Sequence, residues 1–329
     1  MSSISLYLLA FYVCLISYSE AWMYSPKFVK YGVNGEFRII GGKPADKGEF
    51  RAQVSLQNRF FAHICAGVII DPVHIVTAAH CHQPQKRIGY VMGDDLMVTF
   101  NGSETRQRRK VMHFVPHPEF SRDTFQNDIA VIRVDNPFNV TKTFGPKRRS
   151  EATPTIETRC TVVGWGYTTN GQDGDISYNL LKTDVFVADI NYCNSSDSYE
   201  GAMKPGMFCA GRLREGGHDA CLGDSGGLIT CGGLQEISGV VSFGNECGLP
   251  EFPGIYADVS MYNAWIDEIV ATKVLPEYEF SPFPKPYAIS QPDEDDSYGY
   301  SYSEVTSSSA TLALISVFLA IRSVLNVNL

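Results

Sequence analysis

The chain has 329 residues, a formal charge of −9 at neutral pH and nine cysteines. An acidic balance of that size argues against a nucleic-acid partner. Part of the charge lies at one end: from Glu277 onward there are seven acidic and two basic residues, a net −5.

In chain order, residues 1–21 hold an apolar run from Leu6 to Ile16 that closes on Ser19-Glu20-Ala21, the pattern of a secretory signal peptide with a small-residue cleavage site. A membrane-spanning helix needs about 20 apolar residues, and this run is shorter. Residues 22–38 form a short segment that ends Gly35-Glu36-Phe37-Arg38, directly before Ile39-Ile40-Gly41-Gly42. The region from Ile39 to Lys273, about 235 residues, is long enough to bury a sizeable core as one all-β unit. Short β-rich runs (Gly67-Val68-Ile69-Ile70, Ala130 to Val134, Thr161-Val162-Val163, Ser238 to Phe243) are separated by Gly, Pro, Asn and Asp clusters. Their spacing does not distinguish a barrel from a sandwich. Met261 to Val270 reads as a helix.

Beyond it, residues 274–309 form an acidic, tyrosine-rich stalk punctuated by five prolines, expected to stay extended. Residues 310–329 are apolar from Leu312 to Ile321. With the small residues near Ser301 to Ser309, this tail resembles a glycolipid-anchor signal. A transmembrane helix is the rival, made poor by Arg322, Asn326 and Asn328; a merely sticky tail is a third reading. Sequons at Asn101, Asn139 and Asn194 are expected to be glycosylated on a secreted chain. The basic groups Arg106, Arg108, Arg109, Lys110 and Lys147-Arg148-Arg149 read as solvated loop faces, with an exosite for an acidic partner as the alternative.

The chemistry concentrates in His218-Asp219-Ala220-Cys221-Leu222-Gly223-Asp224-Ser225-Gly226-Gly227. A serine hydroxyl needs a neighbouring base to become a nucleophile, and flanking glycines let backbone N–H groups face a developing oxyanion. Alone, such a segment is a Gly-rich turn. Thr77-Ala78-Ala79-His80-Cys81 supplies a base and Asp128-Ile129-Ala130-Val131-Ile132 a carboxylate to orient it. Together, and in the order His80, Asp128, Ser225, these motifs resemble those of trypsin-like serine proteases of the chymotrypsin fold. The resemblance covers about seven-tenths of the chain.

It implies two six-stranded antiparallel β-barrels with a C-terminal helix, and a Ser225 nucleophile with an oxyanion hole at the N–H groups of Gly223 and Ser225. Cleavage after Arg38 would free an Ile39 amino group to pair with Asp224. Asp219 would form the base of a pocket for Arg, then Lys, beside Ala220, Ser242 and Phe243, with Gly244 and Gly254 as its open walls. Ala220 stands where trypsin has serine, which favours a bidentate guanidinium over a compact ammonium. The eight cysteines after Cys14 allow 105 pairings by count; the resemblance implies Cys65–Cys81, Cys160–Cys231, Cys193–Cys209 and Cys221–Cys247. No paired C-x-x-C spacing suggests zinc, and no cofactor is expected. Expected partners are protein or peptide substrates, protein protease inhibitors and, through the tail, a membrane.

Three departures stand out. Phe243 replaces a usual tryptophan, Glu246 a common glycine at the pocket rim, and Leu228 a usual proline. A trypsin-like calcium loop is not cleanly matched between Asp94 and Glu104. His63, His74, His82, His113, His117 and His218 read as surface or packing residues. The alternative function is a catalytically silent homologue that binds or scaffolds, although such proteins usually have a substituted triad member and none is substituted here.

Overall fold

Twelve strands make two closed barrels in a computed structural model that describes residues 40–82, 88–98, 103–167, 176–276 and 278. The expected features at residues 1–39, Asn101 and the tail lie outside these. The described residues all belong to one compact unit.

In the first barrel the strands are β1 (Gln53–Gln57), β2 (His63–Ile69), β3 (His74–Thr77), β4 (Tyr90–Gly93), β5 (Gln107–Pro116) and β6 (Ala130–Val134). They pair in the order β1-β2-β3-β6-β5-β4, and β4 closes on β1. The second has β7 (Arg159–Gly164), β8 (Leu181–Val187), β9 (Met207–Gly211), β10 (Leu228–Cys231), β11 (Gly239–Phe243) and β12 (Gly254–Asp258). Its order is β7-β8-β9-β12-β11-β10, closed by β10 on β7. Each ladder in both barrels is antiparallel, so one topology is used twice. Closure removes free sheet edges, which an open sheet would expose to pairing with other chains.

The β-rich runs read from sequence fall on β2, β6, β7 and β11. The expected helix is α2 (Asn263–Ala271), entered through a 3-10 turn at Val259–Tyr262; α1 (Ile190–Cys193) is a single turn capped by Asp189. The barrel interiors are filled by branched aliphatic and aromatic side chains such as Leu56, Ile69, Ile75, Ile132, Leu181 and Tyr256, all fully buried. All four expected disulfides are formed.

The barrels are joined by a buried polar side chain. Gln53, on β1, donates from Nε2 to the Val163 carbonyl at 3.2 Å and accepts the Leu228 N–H on Oε1 at 3.0 Å. Both partners belong to the second barrel. This gives the Leu228 departure a physical role, because proline has no N–H to donate. Trp165, also buried, donates its indole N–H to the Leu96 carbonyl at 2.9 Å.

Two expectations change. The basic residues 108–110 lie on β5, not on a loop, and the arginines there are engaged internally. Arg106 pairs with Asp95 at 2.8 Å, Arg108 lies over the Phe61 ring at 3.9 Å, and Arg109 over Phe138 at 5.0 Å. The folded unit also continues past Lys273. Leu275 is buried, His113 Nδ1 donates to the Pro276 carbonyl at 2.7 Å, and the Tyr278 ring packs against His82 and Phe114. No helix among the described residues is long and apolar enough to cross a membrane.

Removing the Gln53 amide strands two buried backbone groups, each costing roughly 1–3 kcal/mol when unpaired. Gln53→Leu should therefore lower unfolding free energy by about 2 kcal/mol or more, measured by denaturant titration. Leu228→Pro should cost less in the Gln53→Leu background than in the wild type, because its donor is then already unused.

Candidate active site

Strand pairing brings the first two expected residues together. Thr77, the last residue of β3, is opposite Ala130, the first of β6. His80 lies three residues beyond one strand end and Asp128 two before the other, so they meet at the same barrel rim. His80 Nδ1 is 2.7 Å from Asp128 Oδ2, and the His80 backbone N–H donates to Asp128 Oδ1 at 2.8 Å. A carboxylate only accepts, so Nδ1 carries the proton and Nε2 presents a lone pair. Ser242, from β11 of the second barrel, also donates its hydroxyl to Asp128 Oδ2, at 2.5 Å. Three donors thus hold a carboxylate that is only 2% exposed. Ser242, expected to contact substrate, here braces Asp128.

Ser225 lies on the loop between Cys221 and Gly227, which is pinned from both barrels. Its carbonyl accepts the Ala66 N–H of β2 at 2.8 Å, while the neighbouring Gly226 N–H donates to Val241 of β11 at 2.7 Å. Gly226 has φ +77°, and a Cβ there would lie 2.1 Å from Thr77 Oγ1, so no other residue fits. The N–H groups of Asp224, Gly226 and Gly227 each find a backbone acceptor, whereas those of Gly223 and Ser225 have none among the described residues. Two free donors beside a serine hydroxyl are what an oxyanion requires. Ser225 and His80 line one cleft of about 280 Å³. Ser225 Oγ makes no hydrogen bond to His80 among the described residues, a separation common before substrate binds.

His63 was read as packing, and the structure gives it more to do. It is buried; Nε2 donates to the Gly223 carbonyl and Nδ1 accepts the Ser55 hydroxyl, both at 2.8 Å. Burial pushes its pKa down to about 4, which keeps the ring neutral in this role. Sequence offered no signal for it, since the contact spans 160 positions.

Asp224 is fully buried. Its carboxylate accepts the N–H groups of Gly166 at 2.7 Å and Cys221 at 2.9 Å. Desolvation pushes its pKa up to about 6 despite these bonds. Ile40 is buried beside the Cys221–Cys247 disulfide, and its carbonyl accepts the Asp219 N–H at 3.3 Å. Arg38 and Ile39 precede the described residues.

Asp219 lines the cleft at 2% exposure, accepting the N–H groups of Ala220 at 2.8 Å and Gly248 at 3.0 Å. Burial raises its pKa to about 7. A Cβ on Gly254 would lie 2.6 Å from Asp219 Oδ1 and 3.0 Å from Tyr256 Oη, so that glycine keeps the floor open. Gly244 is less crowded. The Tyr256 hydroxyl is buried and has no hydrogen-bond partner among the described residues. It was missed from sequence, although strand alternation puts it on the same face as Gly254. Phe125 was missed as well: its ring packs 5.5 Å from His80 and 5.2 Å from Phe243.

In the segment where a trypsin-like calcium loop is not cleanly matched, Asp94 accepts the Thr143 hydroxyl at 3.1 Å and Asp95 pairs with Arg106, so both carboxylates are used within the protein. Cys65, His80 and Cys81 place sulfur and nitrogen atoms close together, but the two sulfurs are joined in a disulfide and are not free thiolates for a metal. Asn139 and Asn194 are exposed.

The Trypsin family model matches residues 39–266. Trypsin-2 of Salmo salar is 34% identical over 235 residues, 71% of this chain and 96% of that protein. Trypsin of Phaedon cochleariae is 34% identical over 240 residues, 71% of this chain and 89% of its own length. Transmembrane protease serine 11C of Mus musculus is 36% identical over 238 residues, 70% of this chain but only 53% of that protein, so the chain spans about half the length of that relative. Among solved structures, neuropsin, a serine protease expressed in the limbic system of mouse brain, superposes with a TM-score of 0.63 at 29% identity, covering 70% of this chain and 98% of that one.

Proposed function

The chain belongs to the trypsin family of serine endopeptidases, and on that premise we propose that it cleaves after Arg, then Lys, and is made as a precursor activated by cleavage after Arg38. The observation that carries the specificity is Asp219, a buried carboxylate at the floor of a cleft shared with His80 and Ser225.

In this mechanism His80 Nε2 takes the proton of Ser225 Oγ as the oxygen attacks the scissile carbonyl. Asp128 holds the imidazole in the required tautomer and stabilises the imidazolium that forms. The carbonyl oxygen becomes an anion between the N–H groups of Gly223 and Ser225. Collapse expels the amine, which takes its proton from His80. Water then repeats the sequence on the acyl-enzyme. Losing one oxyanion donor typically costs about 3 kcal/mol of transition-state stabilisation. A guanidinium reaching Asp219 pairs with a carboxylate whose remaining hydrogen-bonding capacity faces the cleft, and Tyr256 Oη lies at the same floor. Ala220 offers no side-chain acceptor there, which leaves a lysine ammonium with fewer partners than a guanidinium.

Activation follows from the environment of Asp224. A fully buried carboxylate with only two backbone donors is costly to ionise, and an ammonium created at Ile39 would supply the opposite charge. The docked Ile40 supports this reading, because it ties the segment after Arg38 to the wall of the Asp219 pocket. Four disulfides suit an oxidising, extracytoplasmic compartment, consistent with secretion and, through the tail, with attachment at the cell surface.

An organophosphonate that traps activated serines should label the activated protein at Ser225, and peptides ending in Arg should be cut. Asp219→Ser should retain labelling while kcat/KM for Arg peptides falls by at least 100-fold, roughly the loss of a buried charge-assisted pair; wild-type rates in that variant would refute the pocket assignment. Arg38→Gln should give a folded precursor that the phosphonate labels poorly, and full activity without cleavage would remove the activation step.

Burial also sets a pH dependence. The pKa of Asp219 is raised to about 7 in the folded, unliganded protein, from 3.8. Its neutral form is therefore favoured on folding, and the associated stability is present at low pH and lost as pH rises from about 4 through about 7. A cation needs the ionised form. Benzamidine affinity should increase with pH up to about 7 and then level off, with one proton released per binding event below that point. A flat affinity profile from about pH 5 to 8, by inhibition kinetics, would contradict it.

A further inference from the structure

Among the described residues seven that are not glycine have left-handed backbone, and two of them, Phe125 (φ 55°) and Glu246 (φ 61°), line the substrate cleft. Left-handed backbone disfavours a residue with a Cβ and persists where the surroundings impose it. Glycine would occupy position 246 without strain, yet the chain places a carboxylate there. Glu246 is exposed, and among the described residues it has no hydrogen bond or ion pair. Asp219 is buried at the floor of the same cleft. The site therefore holds two carboxylates, one buried and one exposed.

The alternation of an extended peptide decides what the second can reach. The strand β11 ends at Phe243, and the N–H of the exposed Gly244 beyond it has no acceptor among the described residues. An extended peptide can pair with that edge. Its successive side chains point to opposite sides, and residues two apart share a side, about 7 Å from each other. When the residue before the scissile bond extends down to Asp219, its upstream neighbour turns toward Phe125 and His80. The residue two positions upstream returns to the side of the pocket, at the rim that carries Glu246.

We propose that Glu246 is a specificity-determining residue that selects Arg or Lys two positions upstream of the cleaved residue, so that preferred substrates carry paired cations with one residue between them. This rests on an extended substrate reading the cleft through Asp219.

The test uses the activated full-length protein and tetrapeptides with a fluorogenic leaving group. The cleaved residue is first chosen by scanning all side chains, so a failure of the Arg reading appears in that scan. The upstream position is then compared as Arg, Gln and Glu on whichever cleaved residue is best. An exposed ion pair is worth a few-fold, so kcat/KM should be about three-fold higher for Arg than for Gln and lower again for Glu. The preference should shrink between about 0.05 M and about 0.5 M salt. Glu246→Gln and Glu246→Gly should both bring the Arg-to-Gln ratio close to one, and Glu246→Asp should keep part of it. Glu246→Gly should melt no lower than the wild type, since it relieves the backbone. A wild-type ratio near one, or an unchanged ratio in Glu246→Gln, would overturn the assignment.

Discussion

The buried carboxylate of Asp224 constrains everything around the proposed nucleophile. It lies next to Ser225 in sequence, is fully enclosed, and draws Gly166 and Cys221 toward itself through their N–H groups. A Cβ on Gly164 or Gly166 would collide with it, so the second barrel is shaped to admit this side chain. With Asp224 turned inward, the chain must turn sharply on either side, and the N–H groups of Gly223 and Ser225 are left without an acceptor among the described residues. An isolated ionised carboxylate in such a place is unfavourable. Its charge therefore makes the loop sensitive to whichever cation reaches it, which is the physical basis of the activation proposed here.

The two barrels share one topology, and the cleft belongs to neither alone. His80 and Asp128 come from one rim of the first barrel; Ser225, Ser242 and Asp219 come from the second. The join between barrels has to hold these groups to hydrogen-bond tolerance. It does so with polar contacts whose geometry is directional: Gln53 to Val163 and Leu228, Ala66 to Ser225, His63 to Gly223, Ser242 to Asp128. Apolar packing alone would hold the barrels together but would leave their register less specified.

Four carboxylates around the cleft have three kinds of environment, and the differences suit them to different work. Asp128 is buried but held by three donors. Asp219 and Asp224 are buried with two backbone donors each, and desolvation raises the pKa of both. Glu246 is solvated at the rim. In the function proposed above, the first orients an imidazole, the next two would pair with the cations of substrate and chain terminus, and the last would act at longer range in water, where its effect is smaller and sensitive to salt.

Sequence by itself determined the family, the disulfide pairing through the family likeness and four of the twelve barrel strands, and it singled out His80, Asp128 and Ser225 as the candidate triad. These are legible because each depends on residue types at short spacing: a serine between glycines, a histidine beside a cysteine, alternating β-branched runs. It also marked Glu246 as a departure that adds negative charge near the substrate, and Leu228 as a structural change with no partner named for it. Tertiary structure decided what distant segments do to one another. Only packing reveals that Gln53 receives the Leu228 N–H, that His63 grips the nucleophile loop, that Ser242 braces Asp128, and that the arginines of β5 are engaged by their own barrel. The strain at Glu246 is likewise a property of backbone angle, not of composition. Hydrogen bonds between residues more than a hundred positions apart follow from how two closed barrels meet, and no local pattern encodes that geometry.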